Sequence, residues 1–362
     1  MPFSSNYSFV DRALHYLAFG APFVQKALCE LENDLFKSEL ERVGSAGEVF
    51  VTGLPRAGTT LILELLYGTG EFETFTYRDM PFIFAPVLWD KISGSFRKPG
   101  DKVERAHGDG MMVSFDSPEA FEEVIWLAFS RRAIVDERTL SPVGREAVTE
   151  ELASALQSSI CKLLLCRARA QSGPTKPRYL SKNNANISRV AVLTELFPTA
   201  KIIIAFRDPA AHVGSLMTQH RRFLDEHAAD AFSRRYMEWI GHYEFGANFR
   251  PINFSGWLDG QPVPTTPDAS FWLRYWNAAY GHALEHRTSS VLFDDFDQLL
   301  EEGAVALERL AEALALAEKA KFAAAGVGLR APRTKPVDLC GCPADVRRAA
   351  QDIHARLKSL AV

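Results

Sequence analysis

Apolar and polar positions along this chain follow two periods in turn. Residues 48–52 (EVFVT) form a short apolar run that ends in a Gly- and Pro-bearing turn. Residues 60–67 then repeat apolar side chains at helical spacing, which gives a strand–loop–helix unit. Residues 72–77 alternate and predict a second strand. A helix is predicted over 118–131, with Ser117 as N-cap and Pro118 in first position, and a long amphipathic helix over 146–170. A second series follows: a strand at 178–181, a helix at 187–197, and the β-branched run KIIIAF at 201–206, which has the composition of a buried parallel strand. A helix over 210–227, a strand at 290–293 and a helix over 299–317 complete it. Residues 8–43 read as helical, with Leu28, Leu31, Leu35 and Leu40 near helical spacing, as a packing helix or a homodimer contact. The stretch 79–118 and the Pro- and Gly-rich stretch 250–268 read as connections, the second as a long loop over the site. Strands alternating with helices predict an α/β fold in three layers, a central parallel sheet covered by helices, with N-terminal and inserted helices added.

At 362 residues the chain has room for one large domain. We divide it into an N-terminal helical segment (1–45), a nucleotide-binding core (48–317) and a C-terminal segment (318–362). A net charge of −4 gives no whole-chain attraction to nucleic acid or an acidic membrane, so any polyanion site must be a local basic patch. Five scattered cysteines make no disulfide framework. Cys340-Gly341-Cys342 has no His or Cys cluster at zinc spacing beside it and reads as two loop thiols, so no metal is expected. Residues 1–9 lack a basic region followed by an apolar run, and residues 14–24 are broken by His15, Gly20 and Pro22. Neither a signal peptide nor an integral membrane segment is expected, and the default location is cytoplasmic.

The strongest chemical signal is Gly53-Leu54-Pro55-Arg56-Ala57-Gly58-Thr59-Thr60. Glycines at both ends let the backbone turn tightly and aim amides inward, and the loop runs into a helix N-terminus that favours a phosphate. The spacing is that of the nucleotide P-loop, but Thr59 stands where the lysine belongs and the cation has moved to Arg56. A second signal lies in residues 201–220, where a buried strand ends at Arg207-Asp208-Pro209 and Ser215 follows on a helix. A cation at a strand end and a hydroxyl two helical turns on can grip one phosphate from two sides. The bland alternative is a structural salt bridge from Arg207 to Asp208 or another carboxylate.

Together these motifs resemble the donor site of sulfotransferases that use 3′-phosphoadenosine 5′-phosphosulfate (PAPS), especially a bacterial branch similar to tyrosylprotein sulfotransferases. The same order continues with Lys182-Asn183-Asn184, then Leu196-Phe197-Pro198-Thr199-Ala200, and near the end Val291-Leu292-Phe293-Asp294-Asp295-Phe296. The resemblance runs from about residue 48 to 317 and is loose over the N-terminal helices and 84–145. It implies a P-loop-like fold in which Pro55, Arg56, Ala57, Gly58, Thr59 and Thr60 hold the 5′-phosphosulfate and Arg207 and Ser215 the 3′-phosphate. It also implies that Arg56 and Lys182 offset the charge that grows on the leaving 3′-phosphoadenosine 5′-phosphate (PAP), and that no metal takes part.

An acceptor hydroxyl must lose a proton, so a base is required. Family members often carry a carboxylate about two dozen positions after the loop cation; here Asp79 is the nearest acid, offset by a residue or two. His107 is its rival. The acid-dense segment 116–126 reads equally as a helix first turn or an acceptor contact. Trp126, Trp239, Trp257 and Trp272 could stack on a sugar or an adenine, though most tryptophans pack in cores. For the acceptor we expect a carbohydrate of the bacterial cell surface, with small metabolites and lipids open. Two rivals remain. A P-loop kinase or NTPase lacks its lysine, although Asp294 and Asp295 imitate a magnesium-binding carboxylate at a strand end. A non-catalytic PAP-binding protein would have no use for Arg56, Lys182 and a nearby acid.

Overall fold

The computed structural model describes residues 15–16, 18–19, 22–45, 47–93, 103–104, 112–113, 118–119, 121–170, 177–329 and 335–362. The strands of its central sheet are β1 (Val49–Thr52), β2 (Phe72–Glu73), β3 (Arg178–Lys182), β4 (Lys201–Phe206) and β5 (Val291–Asp295). They form one five-stranded sheet in the order β2–β3–β1–β4–β5, with every neighbouring pair parallel. The helices that matter are α1 (Pro22–Leu35), α2 (Thr59–Tyr67), α3 (Pro86–Ser93), α4 (Glu123–Ile134), α5 (Glu150–Ala170), α6 (Val190–Leu196), α7 (Pro209–Ala229), α8 (Ala231–Trp239), α9 (Ala269–Glu285), α10 (Phe296–Glu302), α11 (Ala304–Ala313) and α12 (Ala344–Leu360).

Strand alternation explains the three layers. Val49, Val51, Leu180, Ile203 and Ala205 face one side and pack on Ile62, Leu63 and Leu66 of α2 and Leu307 and Leu310 of α11. Phe50, Tyr179, Ile202, Ile204 and Phe206 face the other and join a larger core with α5, α6, α7 and α9. Each such side chain contributes about 1.5–3 kcal/mol when fully buried, which is why these apolar runs settle as strands with both faces covered. From the central β1 the chain goes to β2 and β3 on one side and to β4 and β5 on the other. The carboxyl ends of β3, β1 and β4 therefore meet where the strand order reverses, the place an open parallel sheet binds ligands.

The α/β sheet expected from the sequence is present, with local corrections. The second strand keeps only Phe72–Glu73; Thr76 instead caps a 3-10 turn at Tyr77–Asp79. The helix expected from Pro118 begins at Glu123, because Pro118 is taken up in a bridge to Thr76, and Ser117 lies outside the described residues. The helix expected over 299–317 breaks at Gly303, whose φ of 52° is non-helical and where a Cβ would crowd the carbonyl oxygen of Gly326. The long N-terminal helix is α1 plus a short helix at Lys37–Leu40; residues 8–14 lie outside the described residues. The patterning gave no notice of α3, α8, α9 or α12. Residues 250–268 do lack long elements, and α7 ties them down: His220 Nδ1 accepts from the Gly246 amide, so Nε2 carries the proton it donates to the Thr265 carbonyl, 2.8 Å away. At the far edge, the Val362 amide donates to the Phe293 carbonyl of β5. Among the described residues, no helix is long and apolar enough to cross a membrane.

Candidate active site

The glycine-bounded loop joins β1 to α2. Gly53 has φ 142° and Gly58 φ 97°, and a Cβ would strike the Ala205 carbonyl at the first and the Phe296 ring at the second. Only glycine fits such positions without strain. Arg56 also lies in the left-handed region, at φ 73°, a conformation that a non-glycine residue keeps only when its surroundings hold it there. The holders are visible. His212 of α7 lies 2.8 Å from the Pro55 carbonyl; Trp276 Nε1 donates to His212 Nδ1, so His212 Nε2 bears the proton and donates to Pro55. Burial pushes the His212 pKa down to about 3, helped by the nearby charges of Arg207 and Arg56, and the ring is neutral near pH 7. Arg207 Nη1 donates to the Arg56 carbonyl at 3.4 Å, and Arg56 Nε donates to Ser215 Oγ at 3.4 Å. Arg56 thus brings Arg207 and Ser215 to the loop. Ala57 is buried in the core, and its amide donates to Leu54 within the turn.

Of the carboxylates the alternative left open, Arg207 pairs with Asp297 rather than Asp208. Its nearest carboxylate is Asp297, at 3.9 Å, its guanidinium lies over the Phe296 ring, and burial lowers its pKa. Asp208 instead caps α7 through the Ala211 amide.

The turn after β3 is built differently. Lys182 ends the strand, and Asn183-Asn184 opens a 3-10 turn. Asn183 Nδ2 donates to Glu123 Oε2 at 2.8 Å, and Glu123 also receives both terminal nitrogens of Arg189, at 2.5 and 2.8 Å. Glu122 accepts from Asn186 Nδ2, Tyr179 OH and Trp126 Nε1. Arg189 rests on the Trp126 ring, 4.4 Å from its centroid, with its own side chain 1% exposed. The acid-dense segment is therefore neither a simple first turn nor an acceptor contact at these two glutamates: they anchor the turn that carries Lys182. Asn184 links this turn to the loop, because its Oδ1 accepts from Thr59 Oγ1 at 3.3 Å and its carbonyl accepts from Thr52 Oγ1 at 3.3 Å.

Pro55, Arg56, Thr59, Thr60, Lys182 and Asn184 line one open cleft of about 520 Å³. Phe223, His227, Met237, His242, Glu244 and Phe245 complete its lining. His227 Nδ1 accepts from the Ala247 amide, and burial drives its pKa down to about 4. Loop glycines, two cations and two threonine hydroxyls are a donor set that fits a phosphosulfate. The 223–245 segment supplies half of the cleft, yet its sequence carries no signal beyond a crowding of His, Phe and Glu.

Asp79 is not brought to this cleft. Its Oδ2 accepts from the Thr76 amide at 2.8 Å and the Thr76 hydroxyl at 3.0 Å, and Arg167 Nη2 binds the same carboxylate at 3.0 Å. Burial lifts its pKa against the pull of Arg167. In this structure it is a capping group committed to α5, which corrects its assignment as a base beside the loop. His107 lies outside the described residues. Trp126 and Trp272 are buried core side chains. Among the described residues no group of His, Cys, Asp and Glu could hold a metal ion. Asp295 caps α10 and lies 3.7 Å from Lys358, and burial raises Asp294 to a pKa of about 7.

No curated protein matches the chain in sequence. Among solved structures it is similar to sulfotransferase STF1 from Mycobacterium tuberculosis H37Rv, at 13% identity and a TM-score of 0.46 over 94% of this chain and 84% of that one. It is also similar to sulfotransferase STF9 from Mycobacterium avium, at 13% identity and a TM-score of 0.48 over 91% and 80%. The sulfotransferase from Alicyclobacillus acidocaldarius shares 12% identity, with a TM-score of 0.39 over 88% and 96%. The sequence profile of the Sulfotransferase family matches residues 48–254, from β1 through the loop, the β3 turn and the whole cleft lining, which is more than half of the chain, and the chain belongs to that family.

Proposed function

We propose that the protein transfers a sulfuryl group from PAPS to an acceptor hydroxyl, with PAP leaving. The observation that carries this reading is the convergence of Arg56, Thr59, Thr60 and Lys182 on one cleft. PAPS supplies the activated sulfuryl group. The loop amides, the α2 N-terminus and the hydroxyls of Thr59 and Thr60 hold the 5′-phosphosulfate. Arg207 and Ser215 hold the 3′-phosphate, with Arg56 between them. Arg56 and Lys182 are fixed cations where negative charge grows on the bridging oxygen, so they lower the barrier more than they tighten the ground state. The acceptor we propose is a carbohydrate. Phe223, Phe245 and Met237 offer apolar faces for a sugar's C–H surface, and His227, His242 and Glu244 offer partners for its hydroxyls. The enzyme would act in the cytoplasm.

The test compares ligands and then turnover. Calorimetry should show PAP binding while ADP, lacking the 3′-phosphate, binds far more weakly. Labelled PAPS should then pass its sulfuryl group to one member of a panel of sugars, phenols and tyrosyl peptides. Arg207→Ala should weaken PAP by roughly 10- to 100-fold, the worth of a charge-assisted contact or two, and leave adenosine 5′-phosphosulfate nearly unchanged. Equal losses for both ligands would remove Arg207 from the 3′-phosphate site. Preference for ADP with hydrolysis of ATP would favour the NTPase reading instead.

A further inference from the structure

We infer, on the sulfuryl-transfer reading above, that Glu244 takes the proton from the acceptor hydroxyl. Glu244 is the carboxylate among the described residues that line the cleft with Arg56 and Lys182. A pocket serving only to hold a polyanion gains nothing from a carboxylate, which repels phosphate and sulfate at short range. Its presence there makes chemical sense if it acts on the neutral partner of the reaction.

The carboxylate is also placed. Asn184 Nδ2 donates to Glu244 Oε1 at 3.1 Å, and Asn184 Oδ1 accepts from Thr59 Oγ1 at 3.3 Å. Glu244 is thus two hydrogen bonds from a hydroxyl of the donor loop, through a residue whose backbone carbonyl also anchors to β1. The same glutamate, with Pro55, Asn184 and His242, lines an adjoining open cleft of about 470 Å³ that reaches Arg250, Ile252 and Tyr275. An acceptor entering by that second cleft meets Glu244 at the boundary with the donor side. The other acid of the second cleft, Glu123, is committed to Arg189 and Asn183.

The step balances. The acceptor oxygen forms a bond to sulfur, and the bond from sulfur to the bridging oxygen breaks. That electron pair leaves on PAP beside Arg56 and Lys182, and the acceptor's proton goes to Glu244.

The experiment uses the full chain with Glu244→Gln, Glu244→Asp and Glu244→Ala. PAP affinity is read by calorimetry, and transfer is read with labelled PAPS and whichever panel acceptor the wild type sulfates. Glu244→Gln keeps an oxygen for Asn184 but loses basicity, so kcat should fall by about two to four orders of magnitude while PAP binds as tightly as before or tighter. Glu244→Asp should retain part of the rate, and added imidazole should restore part of it to Glu244→Ala. A Glu244→Gln kcat within about threefold of wild type overturns the assignment. So does loss of PAP binding in Glu244→Gln and Glu244→Asp alike, which would make the residue structural. A wild type that binds no PAP, or sulfates nothing, sinks the sulfuryl-transfer reading itself, an outcome separable from the other two.

Discussion

Strands β1 and β3 lie side by side, and the chain ends them in two turns held by opposite means. The loop after β1 is shaped by its backbone: two glycines and Arg56 at positive φ, and carbonyls pinned by His212 and Arg207. The turn after β3 is shaped by side chains, with Glu122 and Glu123 reaching in from α4 to hold Asn183, Asn186 and Arg189. Both deliver chemistry to one cleft, the first its amides and hydroxyls, the second the ammonium of Lys182. An amide cradle is rigid once its backbone angles are set. A lysine at the end of four flexible bonds gains precision only if the strand end beneath it cannot shift.

The comparison breaks hardest at Glu123. Glu123→Ala strands Arg189, 1% exposed, without its carboxylate, and should cost about 3–5 kcal/mol in urea unfolding. Replacing both partners with apolar residues, Glu123→Leu with Arg189→Met, should recover much of that loss, because the price of the pair is mostly desolvation. A single variant within 1 kcal/mol of wild type would show that the network does not hold the turn. Next is Lys182→Ala, which leaves the turn intact and removes only its product. We expect kcat to fall by about 10²–10³-fold, the usual worth of one fixed transition-state charge, with a much smaller rise in the PAPS Michaelis constant. An unchanged kcat would make Lys182 a ground-state contact. On the loop side, Gly53→Ala should cost about 1–3 kcal/mol for the forbidden φ alone, more if the Ala205 carbonyl cannot yield. No second-site replacement should restore it, since the fault lies in the backbone.

The same contrast explains what could be read from the sequence. The loop is written locally: glycines, Pro55, Arg56 and the threonines stand within eight positions, and the apolar runs around them fix strand and helix. KIIIAF is observed as a strand over the residues expected of it, because a run buried on both faces needs no knowledge of its partners. The β3 turn is written in two places. Glu123 and Asn183 are 60 positions apart, and helix periodicity carries no information about which acid meets which amide. Glu244 and Asn184 are separated by the same distance in sequence. Asp79 failed for a related reason. It was the acid nearest a family spacing, offset by a residue or two, and the sequence could not reveal that Arg167, 88 residues on, and the Thr76 amide would occupy its carboxylate. Gly303 was visible as a glycine, yet its break of the helix expected over 299–317 goes with the close approach of Gly326.

The smallest expected effect distinguishes the two turns by pH. His212 is fully buried and neutral, holding Pro55 through Nε2 and receiving Trp276 at Nδ1. His212→Phe keeps the ring's bulk but leaves a carbonyl and an indole N–H unpaired, so near pH 7.5 it should cost about 1–3 kcal/mol. Burial sets the folded pKa at about 3, below the ordinary 6.5 of an unfolded histidine. Between those values the unfolded chain binds a proton that the folded protein refuses. The stability His212 contributes is therefore fully present above pH 6.5 and declines as pH falls toward 3. The variant lacks that titration, so the stability gap between wild type and His212→Phe should narrow on acidification. His227, at about 4, remains in both proteins and sets a shared acid slope that cancels in the difference. Unfolding curves at pH 7.5, 6, 5 and 4 would measure the gap, and a constant gap would show that His212 does not keep its proton off in the folded state. PAP affinity near pH 7.5 should fall in the variant, because the loop is the element His212 holds. Among the described residues no hydrogen bond or ion pair joins His212 directly to Glu123, so Glu123→Ala and His212→Phe should add nearly independently, and a large coupling between them would mean that the two turns stand or fall as one.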